Sequence, residues 1–160
     1  MEESSSSRLP EKSDLLKICA ALNEKGARYL VIGGMAVIQQ GFLRATEDID
    51  LLLQKSPDNI AKVRAALEVL PDKAIRKAEE NVFDETDVLR VGDEVLVDLM
   101  MSACGIRYEE AESEIEQAII ENVEIPFASA KLLLRMKQTY REKDIPDRIF
   151  LQEKLAAQNS

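Results

Sequence analysis

Histidine is missing altogether from this 160-residue chain, and cysteine occurs only twice, at Cys19 and Cys104. Without imidazole there is no Ser-His-Asp or Cys-His triad, no histidine general base and no His-ligated metal. The two cysteines lie far apart without CxxC spacing, which indicates neither a disulfide framework nor a zinc knuckle and fits a reducing cytoplasm. Long apolar runs are lacking too: none approaches the roughly 20 residues that cross a bilayer. The opening MEESSSSRLPEKSD has no basic-then-apolar layout of a signal peptide, so a soluble, cytoplasmic protein with no membrane partner is expected. Positive charge is scarce, with 21 Lys and Arg against 30 Asp and Glu and a net charge of −9. That balance argues against tight, sequence-independent binding to nucleic acid, although it leaves room for a local basic patch. Chemistry in this chain must run on carboxylates, Lys, Arg, hydroxyls or a metal.

What is present suffices for one core, since 46% of the residues are apolar. Residues 1–12, with four consecutive serines, read as a disordered lead-in, and 13–160 as a single domain whose C-terminal part, from about 129, is helical. Ser13 or Asp14 caps a first helix that buries Leu15, Ile18, Cys19 and Leu22 and stops at Gly26. YLVIGG is a strand covered on both faces, running into a short helix, MAVIQQ. DIDLLLQ is a second strand. Ser56-Pro57 opens a helix through about Leu70, with Ile60, Val63, Ala66, Leu67 and Leu70 at helical spacing. Residues 72–87 carry no assignable pattern. VLRVGDEVLVDLMM reads as a hairpin turning at Gly92-Asp93, and EQAIIENVEIPFAS as another turning at Glu121-Asn122. Ser129 caps a helix over AKLLLRMKQTYR, and Pro146 marks the start of a last one.

The stretch from Tyr29 to Gln54 organises the rest. Asp48 and Asp50 stand two residues apart on a strand and therefore share a face. Like charges at that spacing destabilise each other unless a cation lies between them; the bland alternative is a strand with a wet face. Asp98, set among the apolar residues of EVLVDLMM, tips the balance, because an isolated buried charge costs several kcal/mol unless it is paired or metal-bound. Pairing its strand beside DIDLLL brings three carboxylates together as a hard-oxygen site suited to Mg²⁺ or Mn²⁺. Gly33 and Gly34 allow a sharp turn and close approach of phosphate to backbone N–H groups, or are simply a turn. Arg44 and Thr46 are possible phosphate contacts, with a solvated loop as the alternative for Arg44. If Leu133, Met136 and Tyr140 face the core, Lys137 lies about 40° and Arg141 about 80° from Leu133, within reach of a polyphosphate. Balancing the chain's acidity is the competing role for these cations.

Gly-Gly, then Arg44 and Thr46, then Asp48-Ile49-Asp50, then Asp98 on a later strand resembles the nucleotidyltransferase superfamily with the DNA polymerase β-type palm. More narrowly, the chain resembles the small stand-alone minimal nucleotidyltransferases and the AbiEii-like toxin group, whose closing Lys-x-x-x-Arg-x-Lys-Asp-x-x-Asp stretch is similar to KQTYREKDIPDRIFL. The likeness covers about residues 29–155. It implies an α/β (α+β) nucleotidyltransferase fold, a mixed central sheet flanked by helices. It further implies transfer of a nucleoside monophosphate from an NTP to a hydroxyl on a protein, a tRNA end or a small molecule such as an antibiotic. In that reading Asp48, Asp50 and Asp98 are catalytic and hold Mg²⁺ or Mn²⁺, while Gly33, Gly34, Arg44, Thr46 and Lys137 bind the nucleotide. Many members have Ser after the first glycine; here that position is Gly34, leaving the contact to backbone or Thr46. Asp144 and Asp147 have a family-specific role or, for Asp144, cap a helix. A non-catalytic nucleotide- or partner-binding member of a toxin–antitoxin pair is the alternative, and a structural domain with its carboxylates in ion pairs with Arg44, Lys137 or Arg141 is a third. A partner protein or a homodimer is compatible with so small a chain.

Overall fold

A computed structural model describes residues 7–159. A mixed six-stranded sheet is built from β1 (Tyr29–Ile32), β2 (Asp48–Leu53), β3 (Val88–Gly92), β4 (Leu96–Met100), β7 (Ile115–Ile120) and β8 (Val123–Ala128). Two short strands, β5 (Ser102–Ala103) and β6 (Ile106–Arg107), pair separately. The order across the large sheet is β3-β4-β2-β1-β8-β7. β1 runs antiparallel to β2 and parallel to β8, and β2 runs parallel to β4. The sequence specifies both faces of β2 by alternation: Ile49, Leu51 and Leu53 are buried on one, and Asp48 and Asp50 share the other. Flanking helices are α1 (Lys12–Lys25), α2 (Gly33–Gln39), α3 (Pro57–Leu67), α4 (Tyr108–Ala111), α5 (Ala130–Met136) and α6 (Ile145–Gln158). None of them is long and apolar enough to cross a membrane.

The expected signals at element ends mostly act as written. Ser56 Oγ accepts from Asn59 N–H ahead of α3, and Ser129 Oγ accepts from Leu132 N–H ahead of α5. Glu121 and Asn122 both have positive φ, 47° and 70°, the backbone a tight hairpin turn requires. Other expectations differ. The cap of α1 is Glu11 rather than Ser13 or Asp14, and Asp14 sits at the third helical position, its carboxylate accepting from Glu11 N–H in a capping box. Residues 1–6 of the expected lead-in lie outside the described residues, whereas residues 7–12 are held in place. Arg8 donates twice to Asp14, at 2.6 and 2.8 Å, and its N–H donates to the Glu94 carbonyl. Finally, the helix expected over 129–141 ends at Met136. The guanidinium of Arg148, on α6, takes the carbonyls of Lys137 and Thr139 at 2.7 and 3.1 Å, so a tertiary contact redirects the chain there. Tyr140, expected toward the core, is fully exposed as a result.

Candidate active site

Parallel pairing of β2 with β4 sets Asp50 directly opposite Asp98, and Asp48 lies on the same face two residues earlier. One oxygen from each of the three carboxylates lies within 4.8 Å of the others. Asp50 also pairs with Ile32, the residue just before the Gly33-Gly34 turn, so topology rather than sequence proximity brings the glycines to the acids. Gly33 adopts φ +68°, and a side-chain carbon there would stand 2.8 Å from Asp50 Cγ and 2.9 Å from its Cβ. Gly34 is restricted differently: a side chain there would overlap Thr46 and approach Arg44 Nη2 at 3.2 Å. The absence of both side chains thus makes room for the residues singled out in the sequence.

All eight expected site residues, Gly33, Gly34, Arg44, Thr46, Asp48, Asp50, Asp98 and Lys137, line one cavity of about 590 Å³. Arg141, Asp144 and Asp147 share its wall. Burial raises the pKa of Asp50 well above the usual carboxylate range, and the neighbouring charges of Asp48 and Asp98 push the same way. Asp48 is raised too, first by burial and then by Asp98, with Arg90 opposing. Oδ1 of Asp50 is buried and accepts no hydrogen bond from any described residue. A divalent cation fits this donor set: three hard carboxylate oxygens converge, and Asp50 carries a buried oxygen that no described residue satisfies.

The cations are organised by a second acidic pair. Asp147 accepts from Arg44 Nε and Nη2 at 2.9 Å each, and Lys137 Nζ lies 3.1 Å from Asp147 and 3.2 Å from Asp144. Thr139 and Arg141 also donate to Asp144. Burial raises the Asp144 pKa, but these hydrogen bonds and the Lys137 charge outweigh it and leave the group at about 2. Asp144 occupies the N-cap position of α6 without any capping hydrogen bond, so ion pairing, not capping, occupies its carboxylate. Lys137 reaches the cavity as the residue that closes α5, not from the helical face expected for it, and it is buried.

Sequence reasoning missed Arg90. On β3 it stands opposite Asp98, donating from Nε and Nη2 to both Asp98 oxygens at 2.8 and 2.9 Å, and from Nη2 to Asp48 Oδ2 at 2.7 Å. The ion pairs foreseen for these carboxylates with Arg44, Lys137 or Arg141 are therefore made instead by Arg90. A hairpin turn of three residues, 93–95, rather than one centred on Gly92-Asp93, creates that register. The alternation in VLRVG was its only trace in the sequence.

No protein-family model and no curated protein sequence matches the chain. Solved structures do. ANT(2'')-Ia in complex with adenylyl-2''-tobramycin is similar over 92% of this chain and 90% of that one, with a TM-score of 0.60 and 18% identity. The solution structure of the same antibiotic-resistance factor gives 0.60 at 17% identity, over 92% and 88% of the two chains. A candidate nucleotidyltransferase of Thermotoga maritima gives 0.54 at 16% identity, over 91% and 92%. Strand order, acidic register and these likenesses agree on one point: the chain has the fold of the nucleotidyltransferases.

Proposed function

We propose that the protein is a nucleotidyltransferase, moving a nucleoside monophosphate from an NTP such as ATP to a hydroxyl acceptor. The observation that carries this reading is the convergence of Asp48, Asp50 and Asp98 to within 4.8 Å beside a glycine turn on this fold. A bound Mg²⁺ or Mn²⁺, held by the three carboxylates, would activate the attacking oxygen and stabilise the pyrophosphate leaving group. Arg44 and Lys137, fixed by Asp147, set positive charge toward the triphosphate, and the Gly33-Gly34 turn admits its phosphates without a side chain in the way. Thr46 and backbone N–H groups supply neutral donors. Asp98, nearest the open β3 side, accepts the proton of the incoming hydroxyl. The acceptor is a protein side chain, an RNA end or a small molecule such as an antibiotic.

Arg90 supports a second reading. With two of the three carboxylates already paired to one guanidinium, a nucleotide-binding member without transferase activity is chemically coherent. Isotope transfer separates the two. Incubation with α-labelled NTPs and Mg²⁺ should place label on an acceptor, and Asp48→Asn should lower transfer at least about a hundredfold. Nucleotide binding with no transfer across protein, RNA and aminoglycoside panels would establish the second reading instead.

A further inference from the structure

We infer that Arg90 is the resident counter-ion of the carboxylate site, and that a divalent cation gains full access to Asp48 and Asp98 only when nucleotide draws this guanidinium away. The inference rests on the metal site proposed above. Its basis is the geometry of one side chain. Arg90 makes three charge-assisted hydrogen bonds, two to Asp98 and one to Asp48, all between 2.7 and 2.9 Å. Those are oxygens of two of the three residues that converge as metal ligands. A dication seated there would share them with a unit positive charge a few Å away, a strongly repulsive arrangement in a partly buried site. Guanidinium and metal are thus competitors.

The position of Arg90 makes exchange feasible. It lies on β3, the outermost strand at this end of the sheet, and its side chain is 49% exposed, whereas Asp98 is buried. Leaving the acids therefore needs a rotation of one long, half-solvated side chain and no opening of the core. Arg90 lines the same cavity as Gly33, Gly34, Arg44 and Lys137, so a triphosphate held there offers the displaced guanidinium a new anionic partner. Metal binding then depends on nucleotide, because the ligand that brings negative charge also removes the competitor. Asp50, whose Oδ1 has no partner among the described residues, is the ligand Arg90 leaves untouched and the point where a cation first gains by entering.

The test is Mn²⁺ binding, read by the electron paramagnetic resonance of free Mn²⁺, for the wild type and Arg90→Gln, with and without a non-hydrolysable ATP analogue. Wild type should bind Mn²⁺ weakly alone and at least roughly tenfold more tightly with the analogue. Arg90→Gln should bind Mn²⁺ tightly without nucleotide and lose most of that dependence. Thermal unfolding in EDTA is the second readout: Arg90→Gln should melt lower than wild type, and Mn²⁺ alone should restore it. Equal Mn²⁺ affinity of the two proteins without nucleotide overturns the role of Arg90 and leaves the metal site standing. Absence of Mn²⁺ binding in both proteins, even with the analogue, overturns the metal site itself. A variant that stays unfolded with or without Mn²⁺ makes Arg90 a folding residue and also overturns the inference.

Discussion

Gly33→Ala separates the two reasons for a glycine at the entrance to α2, backbone conformation and space. With φ at +68°, an L side chain at this position is strained by roughly 1–2 kcal/mol. The added carbon would also stand 2.8 Å from Asp50 Cγ and closer still to Oδ2, so the carboxylate must move. Forcing a buried group from its place costs roughly 1–3 kcal/mol more. Gly26→Ala is the internal control. Its φ is +71°, nearly the same, but nothing lies within 4 Å of the added carbon. Both substitutions gain the same small stabilisation from restricting the unfolded chain, and it cancels in the comparison. Urea unfolding should show Gly26→Ala less stable by roughly 1 kcal/mol and Gly33→Ala by roughly 3 kcal/mol. Only Gly33→Ala should weaken Mn²⁺ binding, because only it displaces a proposed ligand. Equal destabilisation of the two variants, within about 0.5 kcal/mol, would refute the claim that Gly33 exists to accommodate Asp50.

Two further outcomes follow from the acidic pair at the start of α6. Asp147→Asn leaves Arg44 without its charged partner and buried Lys137 with Asp144 alone, and should cost roughly 3 kcal/mol in denaturant unfolding; nucleotide affinity should fall with it, and unchanged affinity would show that neither cation needs Asp147 to face the triphosphate. Asp144, held at about 2 against 3.8 unfolded, contributes roughly 2 kcal/mol that is present above pH 4 and lost as pH falls toward 2. Acid unfolding of Asp144→Asn should lack that segment of the pH profile, and an identical profile would contradict the pairing.

The site was legible in the sequence to the extent that it depends on period-two alternation and on turn chemistry. DIDLLL and LVDLM each place acids at fixed parity, and parallel pairing then follows from a fold in which both strands need burial. The cations were less legible because long-range contacts position them. Helical rotation extended through Lys137 misplaces it, because Arg148 captures the chain at the Lys137 carbonyl. Arg90 depends on a register set by Asp93, whose buried carboxylate accepts from the N–H groups of Asp72, Ala74 and Glu94. Two of those donors lie in the segment that carries no readable pattern. A two-residue turn at Gly92-Asp93 would have set Asp87, not Arg90, opposite Asp98. The position and length of the turn together therefore decide whether the acids meet a fourth carboxylate or a guanidinium.

Of the aspartates that line the cavity, Asp50 alone makes no ion pair with a described residue, and it stands at the centre of the proposed chemistry. Asp48 and Asp98 share Arg90, Asp144 has Lys137 and Arg141, and Asp147 has Lys137 and Arg44. Asp50 forms no ion pair with a described residue, one of its oxygens is buried without a donor, and burial raises its pKa. Evolution of a purely structural ion-pair network would have little reason to keep an acid there, since Asn at the same position would avoid the burial of a charge. The glycine opposite it carries a second cost, a left-handed backbone, incurred where the space for Asp50 is needed. Two independent unfavourable terms directed at one carboxylate are accounted for together if a cation binds there. Asp50→Asn should for that reason stabilise the metal-free protein at neutral pH while abolishing the stabilisation that Mn²⁺ gives the wild type; a variant less stable than wild type in EDTA would mean that Asp50 serves the fold rather than a ligand.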